Sequence, residues 1–278
     1  MTRTNSRKWL HLPSLIALPL LALPIANADV RSFQTKDPKA IVAAACAAEL
    51  DADHNDHSAY EYRDHDVTPD HDTLFLTIET PEGNLHRKLE DHGRPLTAEQ
   101  RAADDAANQK LLHDPNLQRK LRRDTSHDDA QAEELLKILP EAFLWTITKE
   151  EGDLITLDFK RNPNFQPANM EARVFGSMEG QIVVAKGDNR IRTIKGRMME
   201  DVKIMGGMLG GLHKGGTFQV ERREVAPHHW QVTELHVHIG GKVFFATIGS
   251  QEDEWKTDFR PSRAQTLQQA WDIASKVQ

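Results

Sequence analysis

From Phe143 to Pro261 the chain is a succession of short runs in which apolar and polar residues alternate, separated by turn residues. That period of two limits the fold more than any other feature of the sequence. Trp145 and Ile147 alternate up to Glu151-Gly152-Asp153, and Ile155, Leu157 and Phe159 alternate away from it, which predicts a hairpin. Met170, Ala172 and Val174 alternate toward Gly180 and extend the strand pattern. Ile182 to Ala185 and Ile191 to Ile194 flank Lys186-Gly187-Asp188-Asn189, a second hairpin. Phe218 and Val220 mark one face of the next strand. Trp230 and Val232 begin another, but Leu235, Val237 and Ile239 continue it one place out of phase. One inserted residue near Thr233-Glu234, a β-bulge, would produce that slip. Gly240-Gly241 is expected to turn the chain into a return strand over Val243 to Ile248. Connections this short favour antiparallel pairing. The missing βαβ rhythm excludes a doubly wound nucleotide-binding fold.

Helices are expected before, between and after the strands. Asp37-Pro38 can start one, because Asp caps free amides and Pro suits the first helical position; it would run over Lys39 to Leu50. Strands follow around Tyr60 and Tyr62, at Leu74, Leu76 and Ile78, and over Leu85 to Leu89, with a turn at Pro81-Glu82-Gly83-Asn84. Residues 97–139 read as a charged helical insertion. Thr97 and Gln100 form a capping box, Asp114-Pro115 restarts the helix, and Pro140 closes it. Its apolar stripe is thin (Leu117, Leu121, Leu135, Leu136, Leu139), so it is a solvated helix or a partner-binding arm. At the end, Ser262 and Gln265 suggest another capping box, with Leu267, Ala270, Trp271, Ala274 and Val277 on one helical face that needs a sheet to cover.

Residues 1–28 have the form of an export signal. Arg3, Arg7 and Lys8 precede the apolar run from Leu10 to Ile25, and Ala26-Asn27-Ala28 is a cleavage site. Pro13, Pro19 and Pro24 interrupt that run, which falls short of the roughly 20 apolar residues of a spanning helix. The expected product is one domain over 29–278, periplasmic or secreted. Its loss of three basic residues takes Lys+Arg from 35 to 32 against 42 Asp+Glu, a net charge of −10. Such a chain lacks the cationic surplus that binds nucleic acid nonspecifically or docks on anionic lipid. Cys46 is the single cysteine, so no disulfide framework exists, and its Ala-rich setting suits a small buried residue.

Several blocks carry a family resemblance: EARVFGSMEG from Glu171, KGGTFQVE from Lys214, HWQVTELHVHIGG from His229 and DFRP from Asp258, with HGRPL upstream at His92. They resemble an uncharacterised family of exported acidobacterial-type proteins. That family is distantly similar to the lipoprotein-carrier fold of LolA, LolB and the sigma-E regulator RseB. The resemblance implies an antiparallel half-barrel with a helical plug and a concave side that takes acyl chains or lipoprotein parts. It transfers no functional residue, since fold likeness does not imply function.

The residues offer three functional readings. In the first, an α+β domain with a large, curved, mainly antiparallel sheet is a non-enzymatic binding protein. A lipid, acyl chain or lipoprotein would lie in a cavity lined by Trp145, Phe218, Val220, Trp230, Val232 and Phe244, with Met208 and Leu209 in a Gly-rich flap. The second is an envelope scaffold or protein-interaction module in which the same residues are core, with peripheral contacts to cell-envelope components. The third is a metal-dependent hydrolase using His54, His57, His65 and His71, which lie among aspartates between Asp51 and Asp72 on what read as loops. Their spacing matches no catalytic zinc set. His236 and His238 share a strand face and could chelate, although they are expected to face solvent. The Gly-rich run at Gly206–Gly211 lacks the P-loop lysine pattern, and Ser177 sits one place early for a nucleophile elbow. No cofactor is expected.

Overall fold

The computed structural model describes residues 37–204, 210–243 and 246–277. The export-signal reading of 1–28, Met208, Leu209 and Phe244 lie outside them. Helix α1 (Pro38–Asn55) leads into strands β1 (Tyr60–Val67), β2 (Asp72–Thr80), β3 (Gly83–Asp91) and β4 (Arg94–Pro95). Helices α2 (Ala98–His113) and α3 (Pro115–Ala142) follow, then β5 (Phe143–Glu151) and β6 (Leu154–Arg161). Helix α4 (Met170–Gly176) precedes β7 (Met178–Ala185), β8 (Arg190–Met198), β9 (Val202–Ile204), β10 (Gly210–Leu212), β11 (Thr217–Ala226), β12 (His229–Val243) and β13 (Ala246–Pro261), and α5 (Leu267–Ala274) closes the chain. The fold is α+β, with one open antiparallel sheet of 13 strands in the order β4-β3-β2-β1-β13-β12-β11-β8-β7-β6-β5; β9 and β10 hang from the far end of β12.

Register decides which side chains share a face, because directly paired residues point the same way and neighbours along a strand point oppositely. One row runs Ile147, Leu157, Ile182, Ile194, Val220, Leu235, Glu254, Asp66 and Thr73, each paired with the next. Leu157 and Ile182 are fully buried in the larger core, with Ile41, Val42 and Ala45 of α1 and Leu139 of α3. This is the inner face. Ile78 and Leu85, paired with each other, point the opposite way and form a second core with Leu267, Ala270 and Ala274 of α5. Thus α1 and the end of α3 cover the inner face at β5–β8, while α5 and α2 cover the outer face at β2–β3.

Local signals explain most element ends. Asp37 caps α1 by accepting from the Lys39 amide, and Thr97 and Gln100 form the expected capping box of α2. The phase slip of β12 is a bulge: Glu221 faces Glu234, Arg222 faces Val232, and Thr233 is the extra residue. Four expectations are corrected. Met170–Gly176 is helical, capped by Asn169, and it buries Ala172 and Gly176 at a spacing of one turn. Pro140 lies within α3, which ends at Ala142. The cap of α5 is Thr266, because the Ser262 hydroxyl instead donates to the Glu79 carbonyl, tying the end of β13 to β2. Gly240 and Gly241 lie inside a continuous ladder from Glu234 to Val243 and do not turn the chain. A Cβ at Gly241 would stand 2.3 Å from the Gly211 carbonyl oxygen, so glycine there lets β10 approach.

Candidate functional site

The inner face changes character across the sheet. Under α1 its side chains are fully buried, as at Leu157 and Ile182. Further along, Ile194, Phe218, Val220, Leu235 and Val237 are half-buried, and the packing of α1 on the sheet is with β8 and β5. The core's apolar surface therefore continues as a strip over β11 and β12. Phe218 lies over Gly196, where a Cβ would stand 2.5 Å from its ring, so glycine leaves the room the aromatic ring occupies.

The strip stops abruptly at carboxylates. Leu235 pairs with Glu254, and Val237 pairs with Glu252. Beyond them on the same face stand Asp66, opposite Glu254, and Asp64, opposite Lys256. Lys256 Nζ lies 3.2 Å from Glu254 and over the Tyr62 ring. Asp64 is 6% exposed; burial, followed by the charge of Glu254, pushes its carboxyl up to about 7 despite Lys256. Burial and then the charges of Asp66 and Glu254 also raise Glu252. The alternation that gave the Tyr60–Tyr62 strand continues to Asp64 and Asp66, so the sequence did carry this placement. The Asp/His composition masks it, because polar runs of this kind also make loops.

A second polar centre lies where α1 meets the other side of the bulge. Glu49, fully buried, accepts from Arg190 Nε and Nη2 at 3.0 and 2.8 Å and from the Ile191 amide at 2.7 Å, with Arg222 Nη1 3.0 Å away. A charge this deep is tolerable only because it is paired and hydrogen-bonded. Above it is a cavity of about 210 Å³ walled by Trp230, Asp53, Asp129 and Leu136. Sequence reading missed this triad; its one signal is that Glu49 falls on the buried stripe of α1 after Ala45 and Cys46. Cys46 is core, with burial and then Glu49 raising its thiol to about 12, which leaves it unreactive.

The proposed lining residues separate accordingly. Val220 and Phe218 belong to the strip. Trp145 packs on Phe143 and Phe159 and donates its indole N–H to the Pro140 carbonyl at 3.2 Å. Trp230 bonds to Asp188 at 3.2 Å in the wall of the smaller cavity, and half-buried Val232 pairs with Arg222. The four histidines do not gather. His54, near the end of α1, is 3.3 Å from Glu133; His57 is exposed; His65 and His71 each take their own carboxylate, Asp72 and Asp66, at 2.7 Å. His54 is helical and His65 lies within β1, so neither stands on the expected loop. His236 and His238, on the outer face, both bond to Asp253, at 2.7 and 3.0 Å. Among the described residues, the one trio of His and carboxylate ligand atoms within 4.8 Å of one another is Asp188, Glu224 and His228. Glu224 and His228 are exposed, and the carboxylates already bond to the His228 amide and ring and to Trp230.

Comparison with known proteins adds no homologue: no family model matches the chain, and no curated protein or solved structure matches it.

Proposed function

We propose that this is an exported, non-enzymatic binding protein that lays the apolar chain of a lipid, acyl group or lipoprotein on the inner face of β8, β11 and β12, the sheet serving as a half-barrel. The observation that carries this reading is the row Ile194, Val220, Leu235, a half-buried continuation of a fully buried core row. Mostly apolar, largely preformed surfaces with a few placed polar groups are the usual form of such sites. The test is titration of the purified protein with a fluorescent fatty-acid analogue. Val220→Asp should weaken binding by about tenfold or more, since a buried charge replaces apolar contact. Circular dichroism should remain that of the parent. Binding that is undetectable in the parent, or unchanged in a folded Val220→Asp, would sink the reading.

A second reading has one observation in its favour. Every residue of α3 from Arg119 to Ala132 is exposed, although both ends of the helix are packed. A helix segment with no buried side chain suits a partner-binding arm, and then the protein would be an envelope scaffold.

A further inference from the structure

We propose that the inner face selects a ligand with a cationic head, a primary amine on an apolar chain, with the ammonium seated among Asp64, Asp66, Glu252 and Glu254. This rests on the reading of the apolar strip as the chain site and adds the chemistry of the head. The first observation is continuity: Leu235 and Val237 pair directly with Glu254 and Glu252, so a chain lying on the strip ends at carboxylates on the same face. The second is independent of the acids. Thr73 is 1% exposed, its hydroxyl oxygen has no hydrogen-bond partner, and it is the direct cross-strand neighbour of Asp66. One oxygen each of Asp64 and Asp66 is likewise buried and unpartnered. Buried oxygens left unpaired cost free energy, and neighbouring ones can be satisfied together by a group with several N–H donors. An ammonium has three donors and no acceptor, the complement of this set.

The charges agree. Four carboxylates face Lys256 and the His71 imidazole, and Lys256 is already held by Glu254 while His71 is held by the second oxygen of Asp66. A tight metal shell fits less well. Hard cations gather oxygens at about 2.3–2.6 Å from a common centre, whereas these acids are spread along two strands, β1 and β13, and form no trio within 4.8 Å. An ammonium does not need a trio of acids, because two carboxylate oxygens and the Thr73 hydroxyl can take its three N–H groups.

The experiment compares dodecylamine, dodecanol and dodecanoate, which share one chain, by calorimetric titration of the purified protein below their micelle concentrations. Dodecylamine should bind about tenfold or more tightly than dodecanol, the worth of a charge-assisted hydrogen bond, and dodecanoate more weakly than either. Glu254→Gln with Asp64→Asn should erase most of the amine preference and leave dodecanol affinity unchanged; Thr73→Val should reduce the preference alone if the double variant does not fold. Equal binding of amine and alcohol would overturn the head-group assignment while leaving the strip intact. No binding of any of the three would overturn the strip and this inference with it. Calcium or magnesium that binds alone and displaces dodecylamine would assign the acids to a metal and overturn the proposal.

Discussion

At the scale of single residues, the inner face places charge where burial makes it expensive. Glu49 offsets that cost with two donors on Arg190, the Ile191 amide and the Arg222 guanidinium beside it, whereas Asp64 has Lys256 beside it and Glu254 against it. The consequence for Asp64 is a pH dependence whose sign can be worked out. Its carboxyl titrates near 3.8 in the unfolded chain and near 7 in the folded one, so between those values the folded state binds more protons. Stability then falls as pH rises through that window, because the unfolded chain is first to release its proton, and it levels off above about 7. Glu79 and Glu252 are raised in the same direction, mainly by burial, while Asp56 and Asp253 are lowered. The wild-type curve therefore mixes signs, and the comparison with Asp64→Asn isolates one group. From pH 5 to pH 8 the urea midpoint should fall further, or rise less, in the wild type than in Asp64→Asn. Equal differences in the two proteins would mean that Asp64 keeps an ordinary pKa.

At the scale of elements, α3 is the outlier. It runs 28 residues from a cap at Asp114 to the inner core at Leu139 and Ala142, and Arg122 donates to the Glu82 carbonyl near its start. Between Arg119 and Ala132 it has no buried residue, only surface pairs such as Lys120–Asp124, and exposed pairs of this kind add about 0.3–0.5 kcal/mol each. Helices draw most of their stability from packing, so this segment should open on its own. Amide hydrogen exchange should be faster over 119–132 than over α1, with limited trypsin cutting first at Arg122 and Arg123; protection equal to that of α1 would show that something covers the segment in solution. The capping box that begins α2 and the charged, sparsely apolar stripe of α3 were both readable from sequence because their signals lie within a few residues. So were the hairpins β5–β6 and β7–β8 and the bulge at Thr233. What was not readable depends on partners far along the chain. Glu49 meets Arg190 across a sequence separation of 141, Ser262 leaves its cap for Glu79, and Gly241 is glycine for the sake of Gly211. The alternation of Met170, Ala172 and Val174 was misleading because a seven-residue helix shows too few turns to separate the two periods.

At the scale of the molecule, two cores sit on opposite faces of one sheet, the larger around Leu157 and Ile182 and the smaller around Ile78 and Leu85. Two cores can mean two folding units, but here they share their walls. In the sheet, β2 and β3 ladder onto the rest through β1, and β1 through β13, the 16-residue strand that also pairs with β12 along ten residues. Loss of α5 would expose Ile78 and Leu85 on β2 and β3 and weaken β1, whose removal in turn leaves β13 as an edge. The cores should therefore melt together. Leu85→Ala and Leu157→Ala, both at fully buried sites, should each cost about 2–5 kcal/mol. Each should lower the midpoint of the same single calorimetric transition. If Leu85→Ala instead splits the transition, with an early component that leaves the melting of the Leu157 core unmoved, then β1 and β13 do not couple the faces, and the acids of β1 could rearrange without disturbing the strip on β11 and β12.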